Sequence, residues 1–261
     1  MNGNTILQIL RELVIRNTKD ARKNWITEYL RNLGIQYEVQ NFQPDGANIV
    51  INKSNKNKII FSAHYDGNDP NDNLSSVAII LELIREHPSD KYLALLTDLE
   101  ENQSKGMEAY IARNGTDLPL IVLELCGSGS VVHIGASSFI PKPPFETVNM
   151  DPTLLKNIEA CVKELKYNYR IHLTPPGDHL HYAMAKGKAG LLSIINDIDF
   201  LVITKMAAQT PPWKLFDGID RNNSVISRMP PFGNCELNDI RTDSLEMIYN
   251  IIVHYLNNKL R

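Results

Sequence analysis

Cysteine is scarce in this sequence: Cys126, Cys161 and Cys235 are too few and too scattered for a disulfide framework. No apolar run approaches the length that spans a bilayer, and Met1-Asn2-Gly3-Asn4-Thr5 has neither the basic start nor the apolar block of a secretory signal. An excess of one charge is lacking too. The formal net charge is −3, and the basic residues are dispersed apart from Lys53 to Lys58, which reads as a solvated turn. Neither a nucleic-acid groove nor a membrane partner is therefore expected, and the chain is expected in the cytoplasm. No heptad or exposed apolar face predicts an oligomeric state.

What is present is apolar residue in regular spacing. With 43% hydrophobic residues over 261 positions, the chain can bury a large core, and residues 1–261 are expected to form one α/β domain. Ile6, Ile9, Leu10 and Leu13 predict a helix over Thr5 to Arg16, and Trp25, Ile26, Tyr29 and Leu30 predict another over Lys19 to Leu33, stopped by Gly34. Strands are expected at Tyr37 to Phe42 and Ala47 to Ile51. Buried strands follow at Ile59 to Ala63, Tyr92 to Thr97, Pro119 to Leu125 and Leu191 to Ile195, with further strands at Val131 to Ile134 and Tyr169 to Leu173. Helices are expected over Leu74 to Glu86, Ser104 to Asn114, Asp151 to Leu165 and Thr242 to Asn257. Ser137 to Asn149 reads as a Pro-rich loop and Lys205 to Asn238 as a long one. The fold class is α/β: a mixed, largely parallel sheet with helices on both faces.

The ends of three of these strands carry acids. After Ile59 to Ala63 comes His64-Tyr65-Asp66-Gly67-Asn68-Asp69-Pro70-Asn71-Asp72-Asn73, a histidine and several carboxylates in a strand-to-helix loop. In open α/β sheets ligands gather outside the carboxyl ends of the strands, and imidazole with carboxylate suits zinc or a similar ion. Taken alone, the segment also reads as an ordinary turn. Tyr92 to Thr97 ends in Asp98-Leu99-Glu100-Glu101, whose pair of glutamates is either functional or a solvated helix entrance. Glu124 sits in an otherwise apolar strand, where a carboxylate must be paired, protonated or metal-bound.

In this order, His64-Tyr65-Asp66, then Asn71-Asp72-Asn73-Leu74-Ser75-Ser76-Val77-Ala78, then Leu99-Glu100-Glu101 with Gly106, then Leu123-Glu124-Leu125-Cys126-Gly127, the chain resembles the zinc-dependent aminopeptidase family that includes bacterial leucine aminopeptidases, glutamate carboxypeptidases and glutaminyl cyclases. The resemblance implies two zinc ions. His64, Asp72 and Glu124 would hold the first, Asp72 would bridge to the second, and Glu101 would bind that second ion. Glu100 would be the general base and acid, and Asp66 would orient His64 from behind. A cis peptide between Asp72 and Asn73 is implied as well. The activity implied is removal of N-terminal residues from a peptide or small amide substrate. The alternatives are a single-zinc cyclase and a noncatalytic peptide binder, against which the presence of Glu100 argues.

The family's last metal ligand is a histidine shortly before the C-terminal helix, yet this chain has no histidine between His181 and His254. Asp239, in Leu237-Asn238-Asp239-Ile240, stands where it is expected. It either replaces that ligand, in which case its charge would favour a harder ion such as manganese, or caps a turn. Cys235 and Glu236 are further candidates. Asp178 reads as a helix cap, His179 as facing the cleft or a core partner, and His181 as a reserve ligand. Trp213, Phe216 and Phe232 could line a substrate pocket.

Overall fold

Two apolar stripes at helical spacing become α1 (Asn2–Val14) and α2 (Lys19–Asn32), which bury Ile6, Leu10 and Leu13 and then Ile26 and Leu30. Thr18 starts α2 by accepting the Ala21 N–H. The computed structural model describes residues 2–140, 146–196 and 235–260. After α2 come β1 (Tyr37–Phe42), β2 (Gly46–Ile51) and β3 (Ile59–His64). A π-helical turn (Pro70–Leu74) leads into α3 (Ser75–Glu86), followed by β4 (Tyr92–Thr97), α4 (Lys105–Asn114) and β5 (Leu120–Leu123). The remaining elements are β6 (Val131–Phe139), β7 (Thr147–Asn149), α5 (Pro152–Glu164), β8 (Tyr169–Thr174), α6 (Asp178–Met184), β9 (Ala189–Ile195), a 3-10 turn (Leu237–Asp239) and α7 (Thr242–Lys259).

The nine strands form one sheet in the order β1-β2-β4-β3-β5-β9-β6-β7, with β8 on the other edge of β6. Its centre, β4-β3-β5-β9, is parallel, and the pairs β1–β2, β2–β4 and β9–β6 are antiparallel. Successive side chains on a strand point to opposite faces, so a strand covered on both sides is apolar along most of its length. Accordingly, Ile59, Phe61, Tyr92, Ala94 and Leu96 pack with α1, α3 and α7. Ile60, Leu93, Leu95, Leu120 and Val122 pack on the opposite face with Met107 and Tyr110 of α4 and Tyr182 of α6.

Two expectations change. Residues 137–139 and 147–149 are strand instead of loop: β6 continues to Phe139 and pairs with β7. The small residues Gly135, Ser137 and Ser138 weaken the apolar alternation there, and pairing with β8, across a register shift between Gly135 and Ser137, supplies the backbone hydrogen bonds. Second, β5 ends at Leu123, so Glu124 stands just beyond the strand. Trp213, Phe216 and Phe232 lie outside the described residues. Among the described residues no helix is long and apolar enough to cross a membrane.

His133 of β6 is buried with Nδ1 3.1 Å from Ser193 Oγ. Burial, and then His172, push its pKa down to about 4. The unfolded chain takes up a proton near pH 6.5 that the folded state refuses, so this contribution to stability is whole above that pH and lost as pH falls toward 4. The stability of the parent relative to His133→Gln is therefore expected to drop by about 2 kcal/mol between pH 7 and pH 4.5. Urea denaturation of both proteins at the two pH values measures it, and a difference independent of pH would show that the histidine is not held neutral.

Candidate metal centre

β3 lies between β4 and β5, and its last residue, His64, pairs in register with Thr97, the last residue of β4. Three adjacent parallel strands thus deliver His64, Glu100 and Glu124 to one edge of the sheet. His64 is buried, and its Nδ1 lies 3.1 Å from Asp66 Oδ1. The other oxygen of Asp66 accepts the Glu101 N–H at 3.2 Å. Burial opposes ionisation of Asp66, but these hydrogen bonds and the His64 charge outweigh it and lower its pKa.

Asp72 is placed by the π-helical turn. Asp69 Oδ1 accepts from the Asn71 and Asp72 N–H groups at 2.7 and 3.0 Å, and Pro70 fixes the first turn. The turn is stitched to the segment after Glu124. The Leu125 N–H donates to the Asp72 carbonyl at 2.9 Å, the Gly127 N–H to Asn71 Oδ1 at 2.8 Å, and the Cys126 N–H to Ser75 Oγ at 3.2 Å. A Cβ at Gly127 would lie 2.6 Å from Ile240 Cδ1 and 3.2 Å from Asn71 Oδ1, so a side chain there would require Ile240 to shift. The expected cis peptide between Asp72 and Asn73 is not found; among the described residues the one cis bond is Gln43–Pro44. Asp72 and Asn73 are instead wound into a helical turn, whose repeating hydrogen bonds require trans peptides.

Both acid-bearing corners contain non-glycine residues in the left-handed region: Leu99 (φ 55°) before Glu100 and Leu125 (φ 53°) after Glu124. Such conformations cost of order 1–3 kcal/mol each and cluster at functional sites. Glu100 Oε1 accepts from Ser104 Oγ at 3.3 Å, and its Oε2 is 3.9 Å from His64 Nδ1. His64, Glu100 and Glu101 offer ligand atoms that all lie within 4.8 Å of one another. His64 Nε2 faces Asp72 Oδ2 at 3.8 Å. A Cβ placed on Gly177 would lie 2.7 Å from Glu124 Oε1 and 3.4 Å from Glu100 Oε1, so the bare glycine leaves those carboxylates side by side.

Asp178 joins them from α6, and the local sequence pattern did not show it. Gly177, not Asp178, is the helix cap; Asp178 is the first helical residue, and its Oδ2 accepts from Thr97 Oγ1 at 2.6 Å. Its Oδ1 is buried without a partner, as is Glu124 Oε1. His179 is fully buried, and no nitrogen of its ring makes a well-formed hydrogen bond, although the Pro175 carbonyl approaches it. The combination Gly-Asp-His after a strand was the only available signal.

The acids show the strain of their crowding. Burial, with Asp178, Asp72 and Glu101 near, pushes Glu100 up to about 8 against the pull of His64. Burial pushes Asp72 up to about 6 and raises Glu124 well above the usual carboxylate range, with Glu100 adding to it. His64 is held well above its ordinary value because Glu100, Asp66 and Asp72 outweigh its own burial. A cation placed among them would reverse these shifts. The residues fit one: Glu124 has an orphaned oxygen, and the 3.8 Å between His64 Nε2 and Asp72 Oδ2 is too long for a hydrogen bond. It is a span that two ligands of one zinc, each about 2.0–2.2 Å away, can bridge.

Asp239 is not brought into this group. It is exposed, and its Oδ2 accepts the Glu236 N–H at 2.9 Å to close a capping box on the 3-10 turn. The Arg241 N–H donates to the Gly127 carbonyl and Ile240 is buried, so the inward-facing residues of this segment are Ile240 and Cys235. Cys235 Sγ donates to the Glu236 carbonyl, and burial pushes the thiol up to about 12. His181 is on the rim, its Nδ1 3.5 Å from Glu108 Oε1. It borders a cleft of about 420 Å3 that opens beside Glu100 and is lined also by Glu101, Ser104, Pro176 and Leu180.

This sheet, with acids at the carboxyl ends of its central strands, has the fold of zinc-dependent exopeptidases and glutaminyl cyclases of known structure. The chain is similar to a glutaminyl cyclase of Porphyromonas gingivalis (TM-score 0.69, 13% identity, 98% of each chain covered). It is similar also to a leucine aminopeptidase precursor of Bacteroides thetaiotaomicron (TM-score 0.65, 16% identity, 98% of this chain and 97% of that one). A Zn-dependent exopeptidase of Parabacteroides distasonis gives a TM-score of 0.64 at 12% identity, with 98% of each chain covered. No protein-family profile and no curated protein sequence matches the chain.

Proposed function

We propose that this protein is a metal-dependent aminopeptidase that hydrolyses the first amide bond of a peptide. The observation that carries the reading is the meeting of His64, Asp72, Glu100, Glu101 and Glu124 at the ends of β3, β4 and β5, with one Glu124 oxygen unpartnered. His64, Asp72 and Glu124 would hold a first ion, with Glu101 available to a second. When bound, zinc or manganese would polarise the amide carbonyl and acidify a water. Glu100, at the mouth of the cleft, takes the proton of the attacking water on its carboxylate and returns it to the departing amine. Ser104 holds Glu100 Oε1 during this exchange, and Asp66 keeps the His64 proton on Nδ1 so that Nε2 is free to ligate.

A second reading is cyclisation of an N-terminal glutamine at a single ion. It is favoured by Asp239, whose carboxylate is occupied by its own turn, while the first ion's set remains whole. One experiment separates the two: elemental analysis of bound metal, then incubation of the loaded protein with Leu-initiated and Gln-initiated peptides, followed by mass spectrometry. Release of free leucine is the expected result. Loss of ammonia from the Gln peptide alone would transfer the assignment to the cyclase, and no product with either ion would end both.

A further inference from the structure

The start of α2 carries Lys19 and Arg22 at the positive end of the helix dipole, where cations are locally unfavourable. Asp20 of the same turn pairs with Lys23 at 2.7 Å, whereas Lys19 and Arg22 find their acceptors outside the helix. Arg22 is 1% exposed, and its fork reaches the loop after β3: Nη1 donates to Asn68 Oδ1 at 2.8 Å and Nη2 to the Asp66 carbonyl at 2.9 Å. Lys19, three residues earlier and so on the same side of the helix, reaches the loop after β4. Its Nζ lies 3.0 Å from Asp98 Oδ2 and donates to the Asp45 carbonyl at 2.6 Å. Asp98 in turn accepts the N–H groups of Ala47 at 3.0 Å and Leu99 at 2.9 Å, fixing the backbone just ahead of Glu100. The two loops are tied to each other only one residue away, where Asp66 spans His64 Nδ1 and the Glu101 N–H.

We propose that the N-terminal turn of α2 is a two-pronged brace in which Arg22 is the principal positioning residue of the metal centre, holding Asp66 so that it can orient His64 and Glu101 together. The inference rests on the metal-site reading above. A planar fork bonded to two acceptors on one loop resists both translation and rotation of that loop, which a lysine ammonium at the same place does not. Lys19 is the weaker prong, because its side chain is 27% exposed.

The test compares zinc affinity, by competition with a chelator, in the parent, Arg22→Met, Arg22→Lys and Ile26→Ala. Ile26 is buried on the same helix one turn on and serves as a control for simple loss of packing. Arg22→Met is expected to weaken zinc binding about 10–100-fold, as loss of supporting partners does. Arg22→Lys should recover only part of the loss, and Ile26→Ala should leave affinity within about threefold while lowering stability. Hydrogen exchange of the Glu101 amide in metal-free protein gives a second readout, faster in both Arg22 variants and unchanged in Ile26→Ala. Parent-like zinc affinity in the Arg22 variants would overturn the brace and leave the metal reading standing. A parent that binds no zinc would sink the metal reading, and exchange at Glu101 would then decide the brace alone. If Arg22→Met does not fold, Arg22→Lys carries the comparison.

Discussion

Glu100→Gln is expected to lower peptide turnover by about 10²–10⁴-fold while leaving bound metal unchanged, because general acid–base catalysis of this kind contributes about that much. Glutamine matches glutamate in shape and can still accept the Ser104 hydroxyl on its carbonyl oxygen, so the loop after β4 has no reason to move. What it cannot do is take a proton from water and hand it on. The substitution also removes one acid from the group containing Asp178, Asp72 and Glu101, the same crowding that raises the Glu100 pKa. The variant should therefore fold at least as stably as the parent near pH 8, which separates loss of chemistry from loss of fold. Single-turnover kinetics alongside elemental analysis measures both quantities. Turnover within about tenfold of the parent would place the proton on another acid of the group, such as Asp178, whose Oδ1 is buried without a partner.

Glu124→Gln should have opposite effects with and without metal. In the metal-free protein the folded pKa of Glu124 is raised by burial and by Glu100, so the folded state favours a proton that the unfolded chain releases near pH 4.3. The sign follows from linkage: the parent carries a penalty that appears as pH rises above the unfolded value and grows until the folded value is passed. Glutamine abolishes that penalty, so metal-free Glu124→Gln should lose less stability than the parent between pH 5 and pH 8. Zinc reverses the order. A ligand at about 100 times its dissociation constant stabilises the folded state by about 2.7 kcal/mol, and a neutral amide in place of the carboxylate should forfeit most of that gain. Chemical denaturation with a chelator and with zinc supplies the four numbers. An undiminished gain from zinc in the variant would remove Glu124 from the ligand set.

Much of the architecture was legible because it follows from the local pattern of apolar residues. Tyr92 to Thr97 reads as a buried strand since Tyr92 to Leu96 form a continuous apolar run, and it is β4 with the same bounds. Glu124 stood out because an acid after Leu120–Leu123 has no local explanation. Asp178 and Arg22 were not read as part of the site. Their partners, Thr97 and the Asp66 loop, are 81 and 44 residues away in sequence, and no periodicity encodes such a pairing. Asp239 was drawn toward the site by its place before α7. It faces away because the Arg241–Gly127 bond and the burial of Ile240 settle which side of that segment points inward.

The amino-acid order alone therefore determined the helices, the central strands and the chemical types at their carboxyl ends, since each depends on neighbours within a few residues and on which side chains tolerate burial. Only the tertiary structure decided which of those side chains converge. Direction at a strand end is set by a single backbone angle, as at Leu99 and Leu125, and by hydrogen bonds from distant elements such as α2 and α6. A rotation of one residue there would turn an acid of the cluster into a surface charge.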